Sequence, residues 1–576
     1  MDGVGYITQC PIEAGTSFRY IFKATPTGTF WYHSHSGPQR TDGLFGALIV
    51  KENEIPEGLP SFIDLPGNHT LSLLDWQREA SLDLFVQIHS SLGYYEGTNV
   101  DQVPTTNNQI YENTCSADGA EVGPVPYWSG IINGKGKHKD IDFSQASLSS
   151  FNVESGETYR FRLIGAQGNY AYRFSIDGHN LLLVGTDGYF IQPVEVDYII
   201  IHTGERYDFL LTADQTGKTN YIIRAETLEV NCDTLERDGG LETNDAIAVL
   251  LYDDSSIDKA VIQANYGTKR LCDTENVCKV ANCPFENYLT GSGYDCSNLH
   301  VDELQLFVAT PGNELPKSKA VNINSTWFFN FGFDSAEFTS TVNGRNFILP
   351  STSPQTQGYK QIDSELCKDL SDECNLDEDD CTCVHTINIE SGLSGKTIRF
   401  VFSSLNITEG FSFAHPIHLH GHSFHVVKVG YGSYNASNNR VNGSTPDISC
   451  GTPCRKAPTW TGNTAPKDIS ITDKTIYKDT VIVPAGGYVV IDFIADNPGY
   501  WFLHCHIESH QLEGMALVIN ELESQQNSPP AGMPLCGNFS WSVENFKEKL
   551  YSSGGRVGFQ AWEIILFAVF SMIAGN

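Results

Sequence analysis

Between residues 150 and 211 the chain alternates short apolar runs with polar turns. SFNVESGETYRFRLIG (150–165), AYRFSIDGHNLLLVGTDG (171–188) and VEVDYIIIHTGERYDFLL (194–211) are rich in β-branched and aromatic residues and break at Gly, Asp or Asn. Runs this short, with period-two patterning and regular turn signals, predict strands packed as β-sandwiches. Long helical periodicity is scarce. At 576 residues the chain exceeds one domain, and 40% hydrophobic with 11% aromatic residues is enough to fill several cores. The fold class expected is all-β.

The same reading applied to GYWFLHCHIESHQLEGMALVI (499–519) gives an apolar, aromatic strand with His504, Cys505 and His506 at its centre. Strand side chains alternate faces, so His504 and His506 point one way and Cys505 the other. One strand therefore offers ligands to two metal sites and joins them covalently. His510 and Met515 follow. A Cys with two His and a weak axial Met is the donor set of a blue-copper electron-transfer site.

An internal repeat supports this. GTFWYHSHSGPQRTDGL (28–44) aligns without a gap on 499–515, with Gly28 on Gly499, His33 on His504, His35 on His506 and Gly43 on Gly514. Ser34 stands where Cys505 is, Gln39 where His510 is, and Leu44 where Met515 is. The first copy keeps the paired His face and lacks every expected blue-copper ligand. A third cluster is His415-Pro416-Ile417-His418-Leu419-His420. His418 and His420 share a strand face, and His415 faces oppositely. His415 can thus join Cys505, His510 and Met515, while His418 and His420 join His33, His35, His504 and His506. Six imidazoles exceed what one copper needs and point to several ions.

On WYHSH with DGL (31–35, 42–44), HPIHLHGHSF (415–424) and HCHIESHQLEGM (504–515), the chain resembles the multicopper oxidases, in the laccase-like and ascorbate-oxidase-like branch and of animal type. The resemblance runs from residue 1 to about Asn538. It implies three cupredoxin-like Greek-key β-sandwich domains. It also implies that His415, Cys505, His510 and Met515 bind type 1 copper, that His418 is a type 2 ligand, and that His33, His35, His420, His504 and His506 hold the type 3 pair, for up to four copper ions in the full-length protein. Asp2 and Glu508 match acids placed near the cluster, where dioxygen reduction consumes protons. A solvated charge or a hydrogen bond to a ligand ring is the bland reading for both. Glu508 is read as functional, whereas Asp2 rests on the resemblance alone. Cys10 is implied to pair with Cys536.

The chain departs from the family at its start, because no His-x-His-Gly motif precedes His33. Residues 1–55 are also too few for a sandwich of roughly 100 residues. The first domain is expected to be incomplete, and the sequence is read as amino-terminally truncated, with Met1 an internal methionine. A short natural form would hold two fewer cluster ligands and reduce little oxygen. The domains expected are a partial first cupredoxin domain (1–55), a copper-free second (56–265), a Cys-rich connector (266–300), a third carrying type 1 copper (301–545) and a tail (546–576). The second domain's strand TNYIIRAETLE (219–229) has no His or Cys.

If Cys505 takes copper, fourteen of the 15 cysteines remain, an even number that permits seven disulfides and implies an oxidising compartment. The Cys-rich, acidic segment 361–383 is read as a disulfide-pinned surface loop. Zinc is disfavoured because no His stands at finger spacing. Six Asn-x-Ser/Thr sequons (Asn68, Asn324, Asn406, Asn435, Asn442, Asn538) fit a secreted glycoprotein. A net charge of −33 excludes nucleic acid and favours cations. The apolar tail WEIILFAVFSMIAGN (562–576) is shorter than the about 20 residues that span a bilayer. A glycolipid-anchor signal, a cut-off membrane helix and a buried segment all fit it, and membrane association of the secreted protein is the expectation carried forward.

The leading functional expectation is one-electron oxidation of phenolic donors coupled to four-electron reduction of dioxygen to water. A ferrous-ion oxidase is the metal-ion alternative. An impaired copper-binding fragment is the non-enzymatic one.

Overall fold

The computed structural model describes residues 2–536 apart from 78–79, 84, 86–102, 105–109, 112–113, 117, 119, 123–126, 139–141, 230–244, 269–271, 274, 287–295, 308–322, 324, 335–338, 369–380, 406–412, 436–439 and 452–453. The apolar tail lies outside the described residues, and the acidic loop 361–383 lies partly outside them. Strands dominate what is described. Helices are few and short, such as Lys259–Tyr266, whose first turn is capped by the Asp258 side chain accepting from the Ala260 and Val261 N–H groups.

Residues 1–55 contribute one antiparallel hairpin, Gly28–His33 against Phe45–Val50, in register from Gly28↔Val50 to His33↔Phe45. Two seven-stranded sheets follow. One runs through Ser150–Val153, Asp245–Tyr252, Asn220–Thr227, Tyr172–Ile176 and Tyr198–Ile201, and the other is centred on Arg206–Thr212, Thr158–Gly165 and Thr70–Trp76. Their inner faces meet through Phe174, Phe209 and Phe161, with ring centroids 5.6 Å apart for Phe174–Phe209 and 5.4 Å for Phe161–Phe209. All three rings are buried, as the apolar alternation of these strands demands.

Within 266–300, read from the sequence as a connector, two strands extend the first of these sheets. Cys278–Ala281 pairs parallel with Tyr198–Ile201, and Cys296–Leu299, at the edge of the sheet, pairs parallel with Cys278–Ala281. Val280 and Ala281 are buried there, so this segment gains apolar cover and backbone pairing at the sheet edge.

The third unit pairs a six-stranded sheet with a five-stranded one. The five-stranded order is Thr386–Ile389, Ala516–Glu521, Gly499–Cys505, His415–Leu419, Thr480–Val483. This order sets the two histidine-bearing strands side by side at the centre of the sheet.

Cys10 and Cys536 form a disulfide across 526 residues of chain, tying the first unit to the end of the third. Further disulfides join Cys272–Cys278, Cys367–Cys383 and Cys450–Cys454. Cys283 is a buried thiol outside any disulfide, so the seven bridges allowed by the even count are not all formed.

Candidate metal centres

Strand register builds both sites. His415–Leu419 runs antiparallel to Gly499–Cys505 with Ile417 opposite Cys505, His418 opposite His504 and Leu419 opposite Leu503. His510 comes from the short helix Glu508–Leu512. The chain then reverses at Gly514, whose φ of 107° suits glycine and whose added Cβ would meet the Asn346 side chain at 2.3 Å.

On one face of this sheet His415, Cys505 and His510 converge. Cys505 Sγ is 3.7 Å from His415 Nδ1 and 3.7 Å from His510 Nδ1, and the two Nδ1 atoms are 3.3 Å apart. All three side chains are buried. The Phe333 ring lies 4.9 Å from the His510 ring. Met515 is buried, its N–H donates to His510 O, and its carbonyl accepts from Cys505 N–H. Burial pushes the Cys505 thiol pKa well up and holds His415 well below the usual imidazole value and His510 at about 4. Two neutral imidazoles and a thiol in a dry pocket fit a soft or borderline ion that displaces the thiol proton.

On the other face six imidazoles form a closed ring of contacts. Centroid separations run 4.7 Å for His33–His35, 4.9 Å for His35–His420, 4.7 Å for His420–His418, 5.7 Å for His418–His504, 5.3 Å for His504–His506 and 5.2 Å for His506–His33. The ligand nitrogens of His35, His420 and His504 all lie within 4.8 Å of one another.

The outer nitrogens are held in a consistent way. His33 Nδ1 is 2.9 Å from Ser34 O, His504 Nδ1 2.8 Å from Cys505 O, and His418 Nδ1 2.8 Å from Asp479 O. His420 Nδ1 is 2.5 Å from Asp2 Oδ2. Each oxygen accepts from Nδ1–H, which leaves Nε2 as a lone-pair donor turned inward. The Nε2 atoms of His420 and His504 are 3.2 Å apart, and His35 Nε2 is buried without a hydrogen-bond partner. Burial, reinforced by neighbouring positive charge, keeps His33, His35, His504 and His506 well below their ordinary pKa and brings His418 to about 4. The inward-facing nitrogens of His33, His418, His420 and His504 fit the copper ions implied by the sequence.

The two acids flank the cluster. Burial works to raise the Asp2 pKa, but His420 charge and hydrogen bonding bring it down to about 2. Glu508 is buried and its pKa is raised by burial, with Arg40 opposing. Arg40 forms an ion pair with Glu508, donates to His506 Nδ1, and donates to His506 O at 3.0 Å and Thr203 Oγ1 at 3.1 Å. Since a guanidinium has only donors, His506 Nδ1 accepts here, the reverse of the other rings. Sequence reasoning passed over Arg40, Thr203 and Asp479. The one available signal was Arg40 itself, an arginine set between HSH and DGL and so carried toward the cluster.

His422 and His425 stand apart from both groups, bonded to Glu521 and to Thr475 O respectively.

Three segments, 1–55, 98–252 and 351–525, each match a family described as multicopper oxidase. Laccase-2 of Pleurotus ostreatus is 30% identical over 549 residues, covering 95% of this chain and 78% of the relative. Laccase-5 of Trametes villosa is 28% identical, covering 93% and 80%. In structure the chain is similar to a laccase from Botrytis aclada, with TM-score 0.59, 24% identity, and 92% and 76% of the two chains covered. It is equally similar to Fet3p, a multicopper oxidase that functions in iron import, with TM-score 0.59, 21% identity, and 96% and 82% covered.

Proposed function

We infer the function of this chain from one premise: it belongs to the multicopper oxidases. It is a laccase-like oxidoreductase with dioxygen as acceptor and copper as cofactor in type 1, type 2 and type 3 centres. Its reaction couples one-electron oxidation of phenolic donors to four-electron reduction of dioxygen to water.

The residue assignment is our reading. His415, Cys505, His510 and Met515 hold the type 1 ion. His418 is a type 2 ligand, and His33, His35, His420, His504 and His506 hold the type 3 pair. The observation that carries this reading is that Cys505 Sγ meets His415 and His510 while its neighbours His504 and His506 enter the six-ring cluster. Bound copper supplies one-electron acceptance at the cysteine and electron delivery to dioxygen at the cluster. The protein's part is then defined. Cys505 gives up its proton, and the peptide links on either side of it connect the two groups covalently. Asp2 at His420 Nδ1 and Glu508 beside Arg40 place carboxyls where protons are consumed.

The net charge of −33 favours ferrous ion as a second donor class. Oxygen uptake by one copper-loaded preparation, with a catechol and then with ferrous ion, decides between them. The leading reading expects catechol to be turned over faster. Ferrous-only uptake overturns the donor assignment, and no uptake with either favours the impaired copper-binding fragment, which lacks the His-x-His-Gly ligands, over both oxidase readings.

We read the chain as secreted and glycosylated at its sequons. Asn68 and Asn442 are exposed, and disulfides suit an oxidising compartment. Among the described residues no helix is long and apolar enough to cross a membrane. Membrane association through the tail stays a proposal, tested by vesicle flotation of the full chain against one ending at residue 545.

A further inference from the structure

We propose that Arg206, from the copper-free second domain, is a positioning residue that clamps the histidine cluster across all three domains. The inference rests on the copper reading given above. Arg206 is buried. Its Nε donates to Thr29 O at 3.2 Å, on the strand that ends at His33. Its Nη1 donates to Gly204 O at 2.9 Å. Gly204 sits so close to His506 that an added Cβ would lie 2.6 Å from the ring carbon Cδ2. Both terminal nitrogens grip Asp479 of the third domain, Nη1 to Oδ1 at 2.6 Å and Nη2 to Oδ2 at 2.5 Å.

Asp479 in turn fixes His418. Its carbonyl accepts from His418 Nδ1 at 2.8 Å, and its Oδ1 accepts from Thr480 Oγ1 at 2.9 Å, a hydroxyl that itself lies 3.0 Å from His418 Nδ1. Asp187 closes the frame from behind. It accepts from Arg206 N at 2.9 Å and from the N–H groups of Asp479 and Thr480 at 3.2 Å each. One guanidinium thus anchors the start of the strand that ends at His33, the backbone against His506 and the side chain of Asp479, whose carbonyl orients His418. A planar fork with donors on three sides can do this, and a lysine ammonium cannot reproduce it even though it keeps the charge.

Cupric ion alone is titrated into the purified full chain and into Arg206→Lys and Asp479→Asn. The paramagnetic signal of copper at the histidine cluster reports the site in question, and the visible band of the Cys505 site serves as the internal reference. Asp479→Asn keeps the backbone carbonyl and one side-chain acceptor oxygen, and removes the charge and the second acceptor of the fork. The expected result is a cluster affinity lower by about 10- to 100-fold in each variant, the range for groups that orient ligand imidazoles, with the Cys505 band unchanged. If Arg206→Lys does not fold, Asp479→Asn decides alone. Parent-like affinity in the folded variants overturns the clamp. So does a Cys505 band that falls in step with the cluster, or failure of both variants to fold, since the role is then general stability. A parent chain with no copper at the cluster overturns the copper reading itself, a distinct result.

Discussion

His418 lies directly opposite His504 across the antiparallel pairing of their strands, with Ile417 opposite Cys505 one step away. This register decides which face each side chain enters. A slip of one residue would turn the histidines of one strand to the Cys505 face. The pairing holds because both strands sit in the middle of the five-stranded sheet, with Leu419, Leu503 and Ile417 buried around them.

Glu508→Gln is expected to slow oxygen uptake by about 10²–10⁴-fold at saturating donor, the range for loss of a positioned proton donor. It also leaves Arg40 buried without its counter-charge, at a cost of about 3–5 kcal/mol in denaturant melts. Parent-like uptake would remove Glu508 from the reaction. An unchanged melt would show that Thr203 and His506 suffice for Arg40.

The copper-free chain should lose stability on acidification. Burial holds His385 at about 3 and His425 at about 4, away from the cluster. Both folded values lie below the unfolded value of about 6.5. The unfolded state therefore takes up protons first as pH falls from about 6.5 toward 4, and each histidine removes about 1.4 kcal/mol per pH unit across that window. Urea melts at pH 7, 5.5 and 4.5 read this out. Equal midpoints at pH 7 and 4.5 would contradict it.

Replacing both Cys10 and Cys536 by Ser opens a loop of nearly the whole chain. The expected cost is about 2–5 kcal/mol, seen in denaturant melts. A loss under about 0.5 kcal/mol would mean that the ends are held by packing, through Val4 and Ile7 among Phe347, Tyr500 and Phe502.

Removing the Phe209 ring tests the second domain's core. It contacts Phe161 on the neighbouring strand of its own sheet and Phe174 across in the facing sheet, so Phe209→Ala should cost about 3–5 kcal/mol. The blue site, in another sheet pair, should keep its spectrum. A shifted spectrum would show that the second domain's packing reaches the metal centres.

The strands that carry chemistry were legible in the sequence because alternation is a local rule. His504, Cys505 and His506 are consecutive, and the odd spacing of His415 from His418 separates them without any tertiary knowledge. What stayed hidden is non-local. Arg40 meets His506 and Glu508 from over 460 residues away, and Arg206 meets Asp479 across 273 residues. Arg160 and Arg162, buried with Asp208 and Glu52 between the first hairpin and the second domain, read in sequence as ordinary polar positions of a strand. A buried cation is recognisable only from its partners, and pattern reading does not supply those. The strand Cys278–Ala281 was missed because its cysteines and turns resemble a linker, whereas its place comes from pairing beside Tyr198–Ile201.

The central claim is that one strand serves two copper sites through opposite faces. Copper-loaded parent and Cys505→Ser, compared by visible absorption and paramagnetic resonance, test it most directly. The account predicts an intense thiolate-to-copper band in the parent, its complete loss in Cys505→Ser, and retention of the copper held by the six histidines. A parent without the band, or a Cys505→Ser protein that keeps it, would contradict the account.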